Sequence, residues 1–488
     1  MKDLAFIEET GEKNFEAWGS FFTKKPLVAS IVLEDFDLKT FFENLKDKGK
    51  MLFESSKVDE KNRFSFIGIH PEDFFHVKGD TVFTKSHERV SSSHLNELKK
   101  EISSRTSPVL ESLEIPLTGG ALGFFSYEAS RFFSPIKFPS LLRDESSFFD
   151  YAFWFYDELF VFNHTTKSLY LCASHEFYEE AKVKLKSLKK DFSSAFFISN
   201  QVKEEKKISS HLNGSNFDYK SYLEAIEKCR DYIESGHSYQ INLSQEISCE
   251  STDSPWNIYK KLISINPVSY GAYFSIGDFH VICGSPELLV HKCGKKLLTR
   301  PIAGTRRRGT IEENSLFEKE LKEDKKERAE HAMLVDLMRN DLGKISKKGT
   351  VKIDTYAEVV HYTHVMHLES DLSSEVEEET HPIDIFGALF PGGTVTGVPK
   401  LRTMEIIEEL EPTERNIYTG SVGYISYTGD LEFNIVIRSL LFKDNHVSFH
   451  VGGGLTYDCI GKQEYKETMN KGKSQLSALG VHSHEMLR

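Results

Sequence analysis

Cysteine is scarce and unpatterned in this chain. Six residues (Cys172, Cys229, Cys249, Cys283, Cys293 and Cys459) are scattered over 488 positions. No Cys-x-x-Cys pair occurs, so reduced thiols in a cytoplasmic protein are expected, not disulfides or zinc. No apolar run reaches the length of a membrane span. The most aromatic stretch, 148–162, is interrupted by Asp150, Asp157 and Glu158. The first residues lack the apolar segment of a secretory leader. Positive charge is in deficit: 61 Lys and Arg face 74 Asp and Glu, a net charge of −13. That balance argues against nonspecific binding to nucleic acid or to a membrane surface. Neither a Walker loop nor a dinucleotide fingerprint is present.

Core-forming material is plentiful, with 37 Phe among the residues. The length predicts two domains or one large composite domain. Residues 1–199 alternate short apolar runs such as 26–33 and 159–162 with polar turns. The polar, turn-rich segment 200–216 reads as a linker, and 217–488 forms the second region. There, 217–233 has helical periodicity, and 270–276 and 279–283 read as strands. Short strands and helices mixed in this order predict an α+β fold and no regular βαβ array.

Two predicted helices each carry a pair of carboxylates. On 312–338, Glu327 and Glu330 are three apart and share a face, and Glu330 continues an apolar stripe through Leu334 and Leu337. On 462–479, Glu464 and Glu467 repeat the spacing, opposite the apolar seam of Tyr465, Met469, Leu476 and Leu479. Each pair alone reads as a solvated charge run. Brought together, the two pairs could hold one hard divalent cation and leave positions for substrate and water, which suits Mg²⁺. Three glycine-rich segments, 301–309, 391–400 and 452–454, are either ordinary turns or places where backbone N–H groups approach an anionic ligand.

Taken together, these segments resemble the chorismate-utilising enzymes, specifically the large subunits (component I) of anthranilate synthase and aminodeoxychorismate synthase. The match rests on Arg300-Pro-Ile-Ala-Gly-Thr305, on 329–343, on His364-Val-Met-His-Leu368, on 390–400, on Tyr418-Thr-Gly-Ser-Val-Gly-Tyr424, on Asn434-Ile-Val-Ile-Arg438 and on Gly452-Gly-Gly454. It is dense and colinear over 217–478 and looser before that, chiefly at Met51-Leu-Phe-Glu-Ser55. The resemblance implies two packed β-sheets surrounded by helices, with the active site in the cleft between them. It implies Mg²⁺ on Glu330 and Glu467, with Glu464 and Glu327 in the same acidic cage. It places chorismate against Gly304, Thr305, Tyr418, Arg438 and Gly452, Gly453 and Gly454, with Lys400 as a further anion contact. His367 matches the catalytic histidine, and an imidazole titrating near neutrality suits proton transfer during pyruvate loss. Glu327, its pKa raised by desolvation, is expected to protonate the departing hydroxyl. Thr394 and Gln240 are expected to position substrate or water. Arg306, Arg307 and Arg308 are expected to brace their loop with ion pairs.

Within the family, Ala303 stands where aminodeoxychorismate synthases usually carry a nucleophilic Lys. That opens C2 of the ring to ammonia, the route to anthranilate in tryptophan biosynthesis, and Glu330-His331 and His364-Val-Met-His367 point the same way. The segments Tyr239-Gln-Ile-Asn-Leu-Ser-Gln245, Gly271-Ala-Tyr273 and Phe390-Pro-Gly-Gly393 resemble aminodeoxychorismate synthase instead. Isochorismate and salicylate synthases need a base, usually Lys, where this chain has Gln240. A catalytically silent chorismate-binding subunit would not require Glu327, Glu330, His367 and Glu467 together. Ser55, with Ser269 and Tyr270, matches the region where anthranilate synthases bind L-tryptophan as inhibitor, although Ser269 and Gly271 depart from the usual pattern. No Gly-x-Cys-x-Gly segment is present, so ammonia is expected from a separate glutamine amidotransferase subunit.

Overall fold

The computed structural model describes residues 5–57, 62–134, 148–198, 210–362 and 365–481. Two large antiparallel sheets run through them, and each takes strands from both halves of the chain. In the first sheet, Lys25–Val32, Ser168–His175, Glu158–Asn163, Phe64–Ile69 and Met51–Glu54 lead in that order to Tyr270–Ile276, Phe279–Ser285, Leu440–Lys443, His446–Leu455 and Gln240–Ser251. The halves join where Glu54 stands opposite Gly271. In the second sheet, Ile302–Arg307, Val365–Glu375, Lys296–Arg300, Glu287–Cys293, Leu431–Ile435 and Ser421–Ser426 continue into Gly120–Phe125, Tyr151–Tyr156 and Asp73–Lys78.

The aromatic stretch shows why the sheets pack as they do. Tyr151–Tyr156 and Glu158–Asn163 are buried along their whole length, the pattern of strands covered on both faces. The first belongs to one sheet and the second to the other, so the chain crosses between them at Asp157. That buried carboxylate accepts from Lys24 at 2.7 Å and from Lys184 at 2.8 Å. Facing residues of the two sheets, among them Phe66, Leu122, Phe124, Trp154, Phe274 and Val422, form the core between them. Helices cover the outer faces: Leu38–Asn44, Tyr178–Phe196 and Pro255–Ile265 on the first sheet, and His94–Ser103, Lys325–Gly343 and Pro382–Leu389 on the second.

Three local expectations are corrected. Part of the segment read as a linker, Ser210–Ser215, is an edge strand on Gln240–Ser251; its alternation turns Leu212 onto the core. The helix expected over 312–338 is two helices, Ile311–Glu323 and Lys325–Gly343. Asp324 breaks it, because its side chain caps Lys326 N and Glu327 N. The helix expected over 462–479 is likewise divided at Gly472 into Gly461–Lys471 and Lys473–Ala478.

Candidate active site

The second of the split helices starts the site. Because Asp324 fixes the first turn of Lys325–Gly343, Glu327 sits against the strand Ile302–Arg307, where a Cβ on Gly304 would lie 3.0 Å from Glu327 Oε2. Gly304 has φ of +61°, a conformation that costs L side chains steric strain. Arg306, on the same strand, donates to Glu327 Oε1 at 2.9 Å and to Asp324 at 2.8 Å. Arg308 donates to the Tyr362 carbonyl, and Arg307 stands 3.9 Å from Glu313. The three arginines therefore brace the loop, as expected. Glu327, however, is ion-paired and does not stand as an isolated acid.

Opposite Gly304, on Val365–Glu375, His367 is buried and its Nδ1 lies 2.8 Å from the Gly304 carbonyl and 3.1 Å from Thr305 Oγ1. The carbonyl fixes the tautomer: Nδ1 carries the proton and donates, which leaves Nε2 as a lone pair. Burial, aided by the Arg438 and Lys57 cations, pushes His367 down to about 4. The expectation of an imidazole titrating near neutrality is thus corrected; this one is a neutral base at physiological pH. His364 lies outside the described residues.

The acidic helices converge. Glu330 is raised above the usual carboxylate range by burial, with Glu327, Glu467 and Glu464 adding to the shift and Lys326 opposing it. Glu464 is raised by burial and by Glu467. Lys326 stands 3.7 Å from Glu330. Carboxylates that repel one another across two helices, with hard oxygen donors and a cation already drawn in, fit a divalent ion of the Mg²⁺ type. Among the described residues no three His, Cys, Asp or Glu side chains close on one point, so any such ion takes part of its shell from substrate and water. Lys471, one turn after Glu467, bridges it at 3.1 Å to the Gly452 carbonyl at 3.2 Å.

The glycines of 452–454 lie within the strand His446–Leu455, not in a turn. Their missing side chains are replaced by neighbours: a Cβ on Gly452 would lie 2.9 Å from the Tyr418 hydroxyl, and one on Gly454 would lie 2.1 Å from Gln240 Nε2. Tyr418 stacks on His450 at 5.3 Å. Arg438 makes no hydrogen bond or ion pair among the described residues, and burial lowers its pKa; it is an unpaired cation, ready for an anion.

The sequence reading missed Glu287. Its carboxyl is buried, accepts from Thr394 Oγ1 at 2.8 Å, and is pushed up to about 7 by desolvation, against the pull of Thr394 and Arg438. Its signal in the sequence was a charged residue opening a strand, Glu287–Cys293, whose next three residues are buried and apolar. Arg438 bears on both Glu287 and His367, so one cation lies near both groups. Lys400 is not part of it. Its ammonium is buried, donating to Asp341 at 2.6 Å and to the Leu389 carbonyl at 2.8 Å. The expected anion contact is therefore a structural ion pair. The N-terminal residues do meet: Ser55, Ser269 and Tyr270 line one pocket between the sheets with Phe53, Tyr424 and Glu432. Its free volume of about 30 Å³ accommodates water and is too small for an indole as it stands.

A family profile described as chorismate binding enzyme matches residues 48–477. The chain is 43% identical over 372 residues to aminodeoxychorismate synthase component 1 of Bacillus subtilis, covering 75% of this chain and 78% of that one. It is 34% identical over 436 residues to anthranilate synthase component 1 of Lactococcus lactis, covering 88% and 95%. Among solved structures, anthranilate synthase component I from Streptococcus pneumoniae matches with a TM-score of 0.76 at 30% identity, over 91% of this chain and 98% of that one. The menaquinone-specific isochorismate synthase from Escherichia coli matches at a TM-score of 0.70 and 16% identity, over 94% and 95%, a likeness of fold alone. Two antiparallel sheets surrounded by helices are thus the architecture the sequence led us to expect.

Proposed function

Because this chain belongs to the chorismate-binding enzyme family, we propose that it aminates chorismate at C2 with ammonia and eliminates pyruvate to give anthranilate. The observation that carries this reading is His367, a neutral imidazole with a free Nε2 beside a strand whose residue 303 is Ala. Elimination of pyruvate needs a base at the ring carbon that received the amine, and a neutral imidazole supplies one. Ala303 offers no side-chain nucleophile, so ammonia itself attacks.

The remaining roles follow from charge. Chorismate is a dianion. Arg438, unpaired, takes one carboxylate, with backbone donors of Gly452 to Gly454 beside it. Mg²⁺ held by Glu330 and Glu467, with Glu464 adjoining, would neutralise the other. Glu287, its pKa pushed up to about 7 by burial, donates the proton with which the ring hydroxyl leaves as water, and Thr394 holds that carboxyl in place. This role passes to Glu287 from Glu327, whose carboxylate is engaged by Arg306. Tyr418 and Thr305 shape the substrate's seat. Ammonia comes from a separate glutamine amidotransferase subunit. Tryptophan inhibition through Ser55, Ser269 and Tyr270 would require that pocket to widen.

A second product, aminodeoxychorismate, is favoured by the 43% identity to the Bacillus subtilis component. In that reading the enolpyruvyl group is retained. Incubation with chorismate, Mg²⁺ and ammonium, followed by chromatography, separates the two. Anthranilate supports the first reading and aminodeoxychorismate the second. A hydroxylated product, or none, contradicts both.

A further inference from the structure

Arg415 is only 2% exposed, in the connection between the helix Lys400–Leu410 and the strand Ser421–Ser426. No step of the proposed chemistry uses it. A buried guanidinium is costly unless its charge and its donors are matched, and this one is matched throughout. Arginine has five N–H donors. Nε and one Nη2 hydrogen reach the two oxygens of Glu411, at 2.9 and 2.7 Å. Nη2 also donates to the Asn242 carbonyl at 2.7 Å. Nη1 donates to the Val395 carbonyl at 2.9 Å and to Thr419 Oγ1 at 3.2 Å.

Three of these acceptors come from segments that are distant in sequence and meet at the candidate site. Asn242 is on the strand Gln240–Ser251, which pairs with Gly452, Gly453 and Gly454. Val395 follows Thr394, whose hydroxyl holds Glu287 at 2.8 Å. Thr419 follows Tyr418, whose ring centre lies 5.7 Å from the guanidinium carbon. The Tyr418 hydroxyl stands 2.9 Å from where a Cβ on Gly452 would be.

Thr419 carries the mark of strain. Its φ is +58°, and that of Arg438 is +53°. A β-branched residue in the left-handed region is unfavourable and persists only where its surroundings hold it. Here the Thr419 N–H donates to the Val436 carbonyl at 2.7 Å. Its hydroxyl accepts from Arg415 and donates to the Tyr418 carbonyl at 2.6 Å. The Val436 N–H returns to the Gly420 carbonyl at 2.9 Å, two residues before Arg438. The strained turn thus joins Tyr418 to the segment that presents Arg438. We propose that Arg415 is a positioning residue for the substrate: by holding Thr419 in its strained turn, it sets Tyr418 and Arg438 against chorismate. The proposal rests on the reading of those two residues as substrate contacts and adds the group that fixes them.

Two substitutions at Thr419 test it without deleting a charge. Thr419→Val keeps the branched shape and removes the hydroxyl, and Thr419→Ser keeps the hydroxyl. Chorismate affinity is measured by calorimetry in the presence of Mg²⁺, and turnover by steady-state kinetics with ammonium chloride. Thr419→Val should weaken chorismate binding about tenfold, the scale of one lost hydrogen bond. The chorismate KM should rise in step, while the ammonium KM is unchanged and kcat stays within about threefold. Thr419→Ser should bind chorismate like the native protein. Arg415→Lys keeps a cation beside Glu411 but has too few donors for the five acceptor contacts. It should weaken chorismate binding at least as much, and serves if Thr419→Val does not fold. Native chorismate affinity in either folded variant, or a Thr419→Ser variant as weak as Thr419→Val, overturns the positioning role. A native protein that binds chorismate and forms no aminated product overturns the amination reading instead, and the affinity series still decides the role of Arg415.

Discussion

Glu287 and His367 are both moved from their ordinary pKa values by burial, in directions that suit opposite tasks. The carboxyl is pushed up to about 7 and can give a proton, while the imidazole is pushed down to about 4 and can take one. Because the proposed role needs Glu287 protonated, kcat/KM should fall as pH rises through about 7, and Glu287→Gln should lose that limb along with roughly 10²- to 10⁴-fold of the rate. A variant that keeps the limb would assign it to another group. His367→Ala should release an aminated, non-aromatic product in place of anthranilate; normal anthranilate release would contradict its role as the eliminating base. His367 was legible in the sequence because its motif was. Its protonation state was not, because that depends on Gly304, Arg438 and Lys57, which only the fold brings to it. Glu287 was missed because a lone carboxylate opening an apolar strand reads as an ordinary strand end. What marks it is complete burial, a tertiary property.

Most elements were legible, and their boundaries were less so. The strands Tyr270–Ile276 and Phe279–Ser285 and the helix Tyr219–Glu234 lie where alternation and helical periodicity put them. The divided helices show the limit. Composition favoured continuation through Asp324 and Gly472; side-chain capping divides the first helix at Asp324, and the second is divided at Gly472. The division at Asp324 matters, since it sets the start of the helix that carries Glu327 and Glu330. If Mg²⁺ sits on Glu330, native protein should gain thermal stability from Mg²⁺ in the presence of chorismate, and Glu330→Ala should abolish both that gain and Mg²⁺-dependent turnover. Unchanged metal dependence would remove Glu330 from the site. Lys400 was assigned to substrate through the family resemblance, whereas its burial against Asp341 makes it a strut. Lys400→Met leaves Asp341 buried with only the exposed Lys344 as partner. It should therefore cost about 3 kcal/mol of stability, with the chorismate KM of the folded fraction unchanged. A shifted KM with native stability would return Lys400 to the substrate.

At the scale of the whole molecule, the candidate site is built on sheets of which neither belongs to one half of the chain. Residues from 240 to 471 supply the groups around it, and the N-terminal strands extend both sheets and close the core between them. Composition and spacing suggested an α+β fold. The interleaving of the halves could not be read, because strand pairing across more than two hundred residues leaves no local trace. Among the described residues no helix is long and apolar enough to cross a membrane. In the proposed function, two acidic helices, a raised carboxyl and a lowered imidazole together aminate chorismate. The most direct measurement is to mix the protein with chorismate, Mg²⁺ and ammonium, without a partner subunit, and identify the product by chromatography and mass. Anthranilate and pyruvate should form in equal amounts, and both should be absent when Mg²⁺ is chelated. Chorismate left intact, or converted to a product without nitrogen, would contradict it.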